Sequence, residues 1–153
     1  MELMFRNEEE TCYNIIMKIY FAGAIRGGRE DQEYYNSIIN ELKKYGEVLT
    51  EHLGSKTLTD QGEQGVTDVY IFNRDMGWVK EADVFVGEVT TPSLGVGYEI
   101  GQAESMGKNI VLLYRPTENK KLSGMLSGNP YLKNIEYKTI EEIPEILKEY
   151  FRK

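Results

Sequence analysis

Glu99 stands in the stretch SLGVGYEIGQA, residues 93 to 103, whose other members are small, apolar, aromatic or uncharged polar. Val96, Ile100 and Ala103 define an apolar helical face, and the glycines at 97 and 101 offer Glu99 no long polar neighbours. A solvent-facing glutamate is the ordinary outcome on a helix and is the weaker reading here. Because helical side chains lean toward the helix N-terminus, a carboxylate one turn after Gly95 points back to where that helix opens. Asp75 in FNRDMGWV, and Asp83 and Glu88 flanking VFVG, are further carboxylates that a fold could bring to the same place. Two carboxylates at a glycosidic bond divide the roles of nucleophile and acid or base. Composition does not choose which two. Asp83 otherwise reads as a cap at a strand start, and Asp75 as a surface helix residue. His52, the sole histidine, and Tyr20 are candidates to line such a site; taken singly, each reads as loop polarity or packing.

Two loops have the chemistry of anion cradles. Residues 23 to 29, GAIRGGR, combine Gly23 and Gly27 with Arg26 and Arg29 ahead of a helical pattern, so that backbone N–H groups and guanidinium groups could meet a phosphate. The spacing is neither that of a P-loop nor G-x-G-x-x-G. A tight strand-to-helix turn with solvated arginines explains the same residues without a ligand. Ser93, two residues before Gly95, adds a hydroxyl at a helix start, where it also reads as an ordinary cap.

The elements that must hold these loops follow from periodicity. MKIYFAGA is a strand, DQEYYNSIINELKKYG a helix, EVLTEH a second strand, and VYIFNRDMGWVKEA a helix in which Phe72, Trp78 and Val79 read as core. DVFVGEV and NIVLLYR are buried strands around the helix GVGYEIGQAESMGK. NIEYKT is a fifth strand, and IEEIPEILKEYFRK a closing amphipathic helix. Strands separated by helical segments predict a parallel five-stranded sheet covered on both faces, an α/β doubly wound fold of three layers. In a flavodoxin-like order the topological reversal falls between the first and third strands, so AGAIRGGRE and EVTTPSLGVGYE face each other across the ligand crevice. LGSKTLTDQGEQGVTD is expected to be a mobile loop, and PTENKKLSGMLSGNPYL a loop with one helical turn.

The chain has 153 residues, which suits one domain, here 17–153 behind an N-terminal extension over 1–16. Its net charge of −7, with acidic residues scattered throughout, argues against a nucleic-acid polymer as partner. The single cysteine, Cys12, cannot form an internal disulfide, no Cys/His spacing suggests a metal, and no apolar run reaches the roughly 20 residues of a membrane span. A cytoplasmic protein with no membrane partner and no cofactor is expected.

IYFAGAIRGGRED, GEVLTEH, RDMGWVKEADVFVGEVTTPSLGVGYEIGQAESMGK and LSGM, in this order from about Lys18 to Phe151, resemble the 2′-deoxynucleoside 5′-monophosphate N-glycosidase family, a branch of the nucleoside 2-deoxyribosyltransferase superfamily. The resemblance implies that Glu99 is the nucleophile at the anomeric carbon, that Asp75 assists departure of the base and that Tyr20 orders the carboxylate. It maps a phosphate site onto Gly23, Ile25, Arg26, Gly27, Ser93 and Gly95, and puts His52 on the base side. Ser123, with Met125 beside it, would come from the other subunit of a homodimer with shared active sites. Ala24 departs from the pattern, since relatives often carry serine there, so a hydroxyl contact near the phosphate is expected to be missing. A nucleoside deoxyribosyltransferase, a ribonucleotide (CMP-type) N-glycosidase and a non-catalytic nucleotide-sensing module remain the alternatives.

Overall fold

A computed structural model of the chain describes residues 15–25, 31–54, 58–59, 61–119 and 121–152. Most of the N-terminal extension, and the expected phosphate contacts Arg26 and Gly27, lie outside the described residues.

Five parallel strands form one sheet: β1 (Lys18–Ala22), β2 (Glu47–Val48), β3 (Val84–Glu88), β4 (Asn109–Tyr114) and β5 (Lys133–Glu136), in the order β2-β1-β3-β4-β5. This is the flavodoxin-like order expected from the alternation of elements, and it puts the reversal between β1 and β3. Those two strands pair from Ile19↔Val84 to Ala22↔Gly87, so both end at one level, where the chain leaves the sheet in opposite directions.

Strand alternation divides the core into two layers. Ile19, Phe21, Val84 and Val86 face α1 (Gln32–Leu42) and α5 (Ile143–Phe151), whereas Tyr20, Ala22 and Phe85 face α2 (Asp68–Glu81) and α3 (Leu94–Ser105). A four-residue helix, α4 (Gly124–Ser127), is the helical turn expected in the loop before β5. A Cβ at Gly87 would lie 2.8 Å from Leu112 Cδ2, so any larger residue there would displace that buried side chain.

β2 is shorter than the strand expected over EVLTEH. After Leu49 N–H bonds to Ile19 O at 2.9 Å, the Thr50 hydroxyl accepts from Phe21 N–H at 2.8 Å and donates to Phe21 O at 2.6 Å. One side chain thus replaces the next rung of the ladder and frees the backbone to turn. The result is a 3-10 turn, Glu51–Gly54, that carries His52 toward the end of the sheet. Phe72 is another departure: it is 51% exposed and meets Tyr98 of α3 at 6.2 Å between ring centroids, while Val79 alone of the expected α2 core is fully buried. Phe72 lies seven residues, about two helical turns, before Val79, nearer the N-terminus of α2, where its neighbour is Tyr98 and not the sheet. No helix among the described residues is long and apolar enough to cross a membrane.

Candidate active site

Beyond the carboxyl ends of β1 and β3 lies a crevice of about 690 Å³. Tyr20 lines it from β1, Asp75 from α2 and Glu99 from α3, with Gly23 and Ile25 after β1, Ser93 and Gly95 at the start of α3, and His52 after β2. Eight of the residues singled out from sequence therefore meet in one place.

Glu99 is placed by the helical face it shares. Val96, Ile100 and Ala103 pack α3 onto the sheet, which turns Glu99 toward α2 and down to β1. There it faces the Tyr20 hydroxyl, which favours its charged form. Burial is the main reason that the Glu99 carboxyl is pushed up to about 7; the nearby charge of Asp75 adds to the rise and the Tyr20 hydroxyl opposes it. Tyr20 itself is driven far above its ordinary value, first by burial and then by Glu99 and Asp75, so it remains a donor at every working pH. Its ring stacks on Phe85 at 5.3 Å, which fixes the direction of the hydroxyl.

Asp75 is raised by burial, against the pull of Arg74, whose Nε donates to Asp75 Oδ1 at 2.8 Å. Arg74 was not among the residues expected from sequence. Its two terminal nitrogens bind Glu63 at 2.7 and 2.6 Å, and its guanidinium lies 4.8 Å from the Trp78 ring centroid. Glu63 Oε1 is also 3.2 Å from His52 Nε2. Burial depresses His52, and the charge of Glu63 opposes that. The segment expected to be a mobile loop thus delivers Gly62 and Glu63 to the crevice wall. The signal for Arg74 was its place next to Asp75; the signal for Glu63 was absent, because its partner is 11 residues away and joined only by the folded loop.

The other carboxylates do not converge. Glu88 has the same strand parity as Val84 and Val86, so its side chain enters the opposite layer, where Tyr137 donates to it at 2.9 Å and Thr90 also binds it. Asp83 sits at the other end of β3 and accepts from Lys18 N–H at 2.8 Å, the capping role expected of it.

At the rim, Ser93 caps α3 by accepting from Val96 N–H at 3.3 Å. Gly23 lies against Tyr35, whose ring would be 2.9 Å from a Cβ at that position. Gly95 has no such constraint: the nearest atom to a Cβ there is Ser93 Oγ at 3.8 Å. Ala24 is fully buried, with its N–H donated to the Tyr35 hydroxyl at 3.1 Å, and it does not line the crevice. Ser123 and Met125 are also outside the chain's own crevice; they line a neighbouring cavity of about 380 Å³ that shares Pro92, Ser93, Leu94 and Val96 with it.

Residues 19–134 match the family described as nucleoside 2-deoxyribosyltransferase. A 5-hydroxymethyl-dUMP N-hydrolase of Danio rerio is 48% identical over 138 residues, covering 88% of this chain and 96% of the relative. A protein of the same name from Esox lucius is 48% identical over 141 residues, covering 89% and 97%. Among solved structures, the Clostridium botulinum CMP N-glycosidase BcmB superposes with a TM-score of 0.63 at 23% identity, over 87% of this chain and 98% of that one, a likeness of fold. With most of its length and the whole crevice inside the match, the chain belongs to the nucleoside 2-deoxyribosyltransferase family.

Proposed function

We propose that this protein hydrolyses the N-glycosidic bond of 2′-deoxynucleoside 5′-monophosphates, releasing the free base and 2-deoxyribose 5-phosphate. The observation that carries the reading is the convergence of Tyr20, Asp75 and Glu99 beside the N-terminus of α3, in a chain 48% identical over nearly its full length to an N-hydrolase of such a substrate.

The bond breaks through an oxocarbenium-like state, and an ionised Glu99 beneath C1′ stabilises the developing positive charge. A Glu99 oxygen then bonds to C1′ as the C1′–N pair leaves with the base, which takes up a proton from Asp75 or from water. Water next attacks C1′, the Glu99–C1′ bond breaks, and one water has been consumed for each bond cleaved. Tyr20 holds the carboxylate in line without competing for the proton. The 5′-phosphate would lie between Gly23–Ile25 and Ser93–Gly95, with Arg26 and Gly27 from the adjoining segment. Nothing in the packing requires glycine at 95, and glycine weakens a helix by roughly 1 kcal/mol relative to alanine, so close approach of a ligand accounts for it better than the fold does. Binding energy gathered at the phosphate positions C1′ over Glu99.

The active form is a homodimer in this reading. Met125 is 82% exposed and Leu94 97% exposed, and the α4 region that carries Ser123 lies outside its own crevice, free to close a partner's.

The test is a panel of normal and modified deoxynucleoside monophosphates, with chromatography for free base and 2-deoxyribose 5-phosphate. Release of both in equal amounts is expected. Appearance of a new nucleoside when a second base is added, with no hydrolysis in its absence, would make the protein a transferase instead, and release from ribonucleotides alone would move it to the CMP-type activity.

A further inference from the structure

On the layer of the sheet away from Glu99, a second polar cluster is buried at the same ends of the strands. Glu88 is 0% exposed and Asp31 4% exposed, and Arg115 joins them. Arg115 Nη2 binds Asp31 Oδ1, its Nε is 3.9 Å from Glu88 Oε1, its guanidinium lies 3.6 Å from the Tyr34 ring centroid, and its backbone N–H donates to Thr90 Oγ1 at 2.9 Å. Thr91 Oγ1 donates to Asp31 Oδ2 at 2.6 Å. None of these residues lines the crevice.

Asp31 occupies the N-cap position of α1 yet makes no side-chain cap hydrogen bond to its own helix. A carboxylate at an N-cap ordinarily binds the orphan N–H groups of the first turn. Here it reaches across instead, to the segment Thr90–Ser93 that leads into α3. From the same helix, the Tyr35 hydroxyl accepts the Ala24 N–H at 3.1 Å, and its ring fills the space beside Gly23. Helix α1 therefore holds both backbone segments of the crevice rim, Gly23–Ile25 through Tyr35 and Thr91–Ser93 through Asp31.

We infer that Asp31 is a positioning residue for the 5′-phosphate end of the crevice: braced by Arg115, it sets the spacing between the Gly23–Ile25 segment and the Ser93 cap of α3. The inference rests on the proposed nucleotide reading of the site. It separates from a purely electrostatic role by sign. Removing a negative charge near an anion site strengthens anion binding if charge alone matters, and weakens it if that charge holds the two walls in register.

The experiment measures binding of 2-deoxyribose 5-phosphate and of 2′-deoxyuridine by calorimetry to the wild-type protein, Asp31→Asn and Thr91→Val, each checked for an intact fold by circular dichroism and thermal melting. Thr91→Val keeps the shape of the side chain and deletes the donor to Asp31, so it reports on the same link if Asp31→Asn does not fold. The expected result is binding of the sugar phosphate about ten-fold weaker in either folded variant, with deoxyuridine affinity unchanged. Unchanged or tighter sugar-phosphate binding, or equal losses for both ligands, overturns the positioning role. If the wild type binds the sugar phosphate and releases base while the folded variants behave like it, this inference fails alone; if the wild type does neither, the nucleotide reading fails and takes the inference with it.

Discussion

The Tyr20 hydroxyl, from the third residue of β1, faces the Glu99 carboxylate, from the sixth residue of α3, so the proposed nucleophile is positioned against an element 79 residues away in sequence. The Tyr20 hydroxyl favours the charged form of Glu99, while burial and Asp75 favour the neutral one, and the balance leaves the carboxyl at about 7. Only the anion can attack C1′, so kcat/KM should rise with pH along a limb centred near 7 and level off above it. Asp75→Asn removes a neighbouring charge and should move the limb to lower pH; Tyr20→Phe removes the hydroxyl that favours the anion and should move it higher. A pH–rate profile with no inflection between pH 5 and 8 would contradict the assignment.

Glu99→Gln should lower kcat by at least about a thousand-fold while leaving monophosphate binding within a few-fold, because the rim that would take the phosphate is separate from the carboxylate. Stability should respond as well, with a definite sign. A carboxyl raised in the folded state contributes stability that is fully present below its unfolded value near 4.5 and is lost as pH rises through about 7. Thermal melting should therefore show Glu99→Gln gaining on the wild type at pH 8 relative to pH 5. Turnover close to that of the wild type would remove Glu99 from its role.

Arg74 joins the loop before α2 to the proposed catalytic pair, with Glu63 on its terminal nitrogens and Asp75 on Nε. Arg74→Met keeps much of the packing on Trp78 and leaves Glu63 and Asp75 without a cation, which should cost roughly 1–3 kcal/mol of stability and move the Asp75 carboxyl further upward. Arg74→Lys restores the charge without the planar fork and should recover only part of the loss. Chemical denaturation and kcat/KM together check this; a Lys variant equal to the wild type would mean that charge alone suffices.

Ser123 caps α4 by accepting from Met125 N–H at 3.3 Å, beside a Met125 side chain that is left in solvent. If the pair completes a partner's pocket, mixing an inactive Glu99→Ala protein with an inactive Ser123→Ala, Met125→Ala protein and allowing exchange should restore activity, since one pocket of each heterodimer is then intact. A loop variant that is fully active by itself, or an active monomer in sedimentation, would exclude the shared site.

Much of this protein was legible along the chain because its fold depends on local signals. The apolar runs IYFA, VFVG and IVLLY and the helical periods between them require a covered parallel sheet, and the glycine and serine positions mark where strands pass into helices. Glu99 stood out for a local reason too: a carboxylate beside the apolar face of its own helix has few harmless directions to take.

What tertiary structure decided was which carboxylates meet. Asp75, Glu88 and Glu99 were equal candidates by type, and strand parity sent Glu88 into the opposite layer while helix packing turned Asp75 and Glu99 toward Tyr20. The pairings of Glu63 with Arg74 and of Asp31 with Arg115 were invisible for the same reason. Their interactions join residues 11 and 84 positions apart, and such side-chain bonds have no period or spacing in sequence; only the closed fold brings the groups within 3 Å of one another.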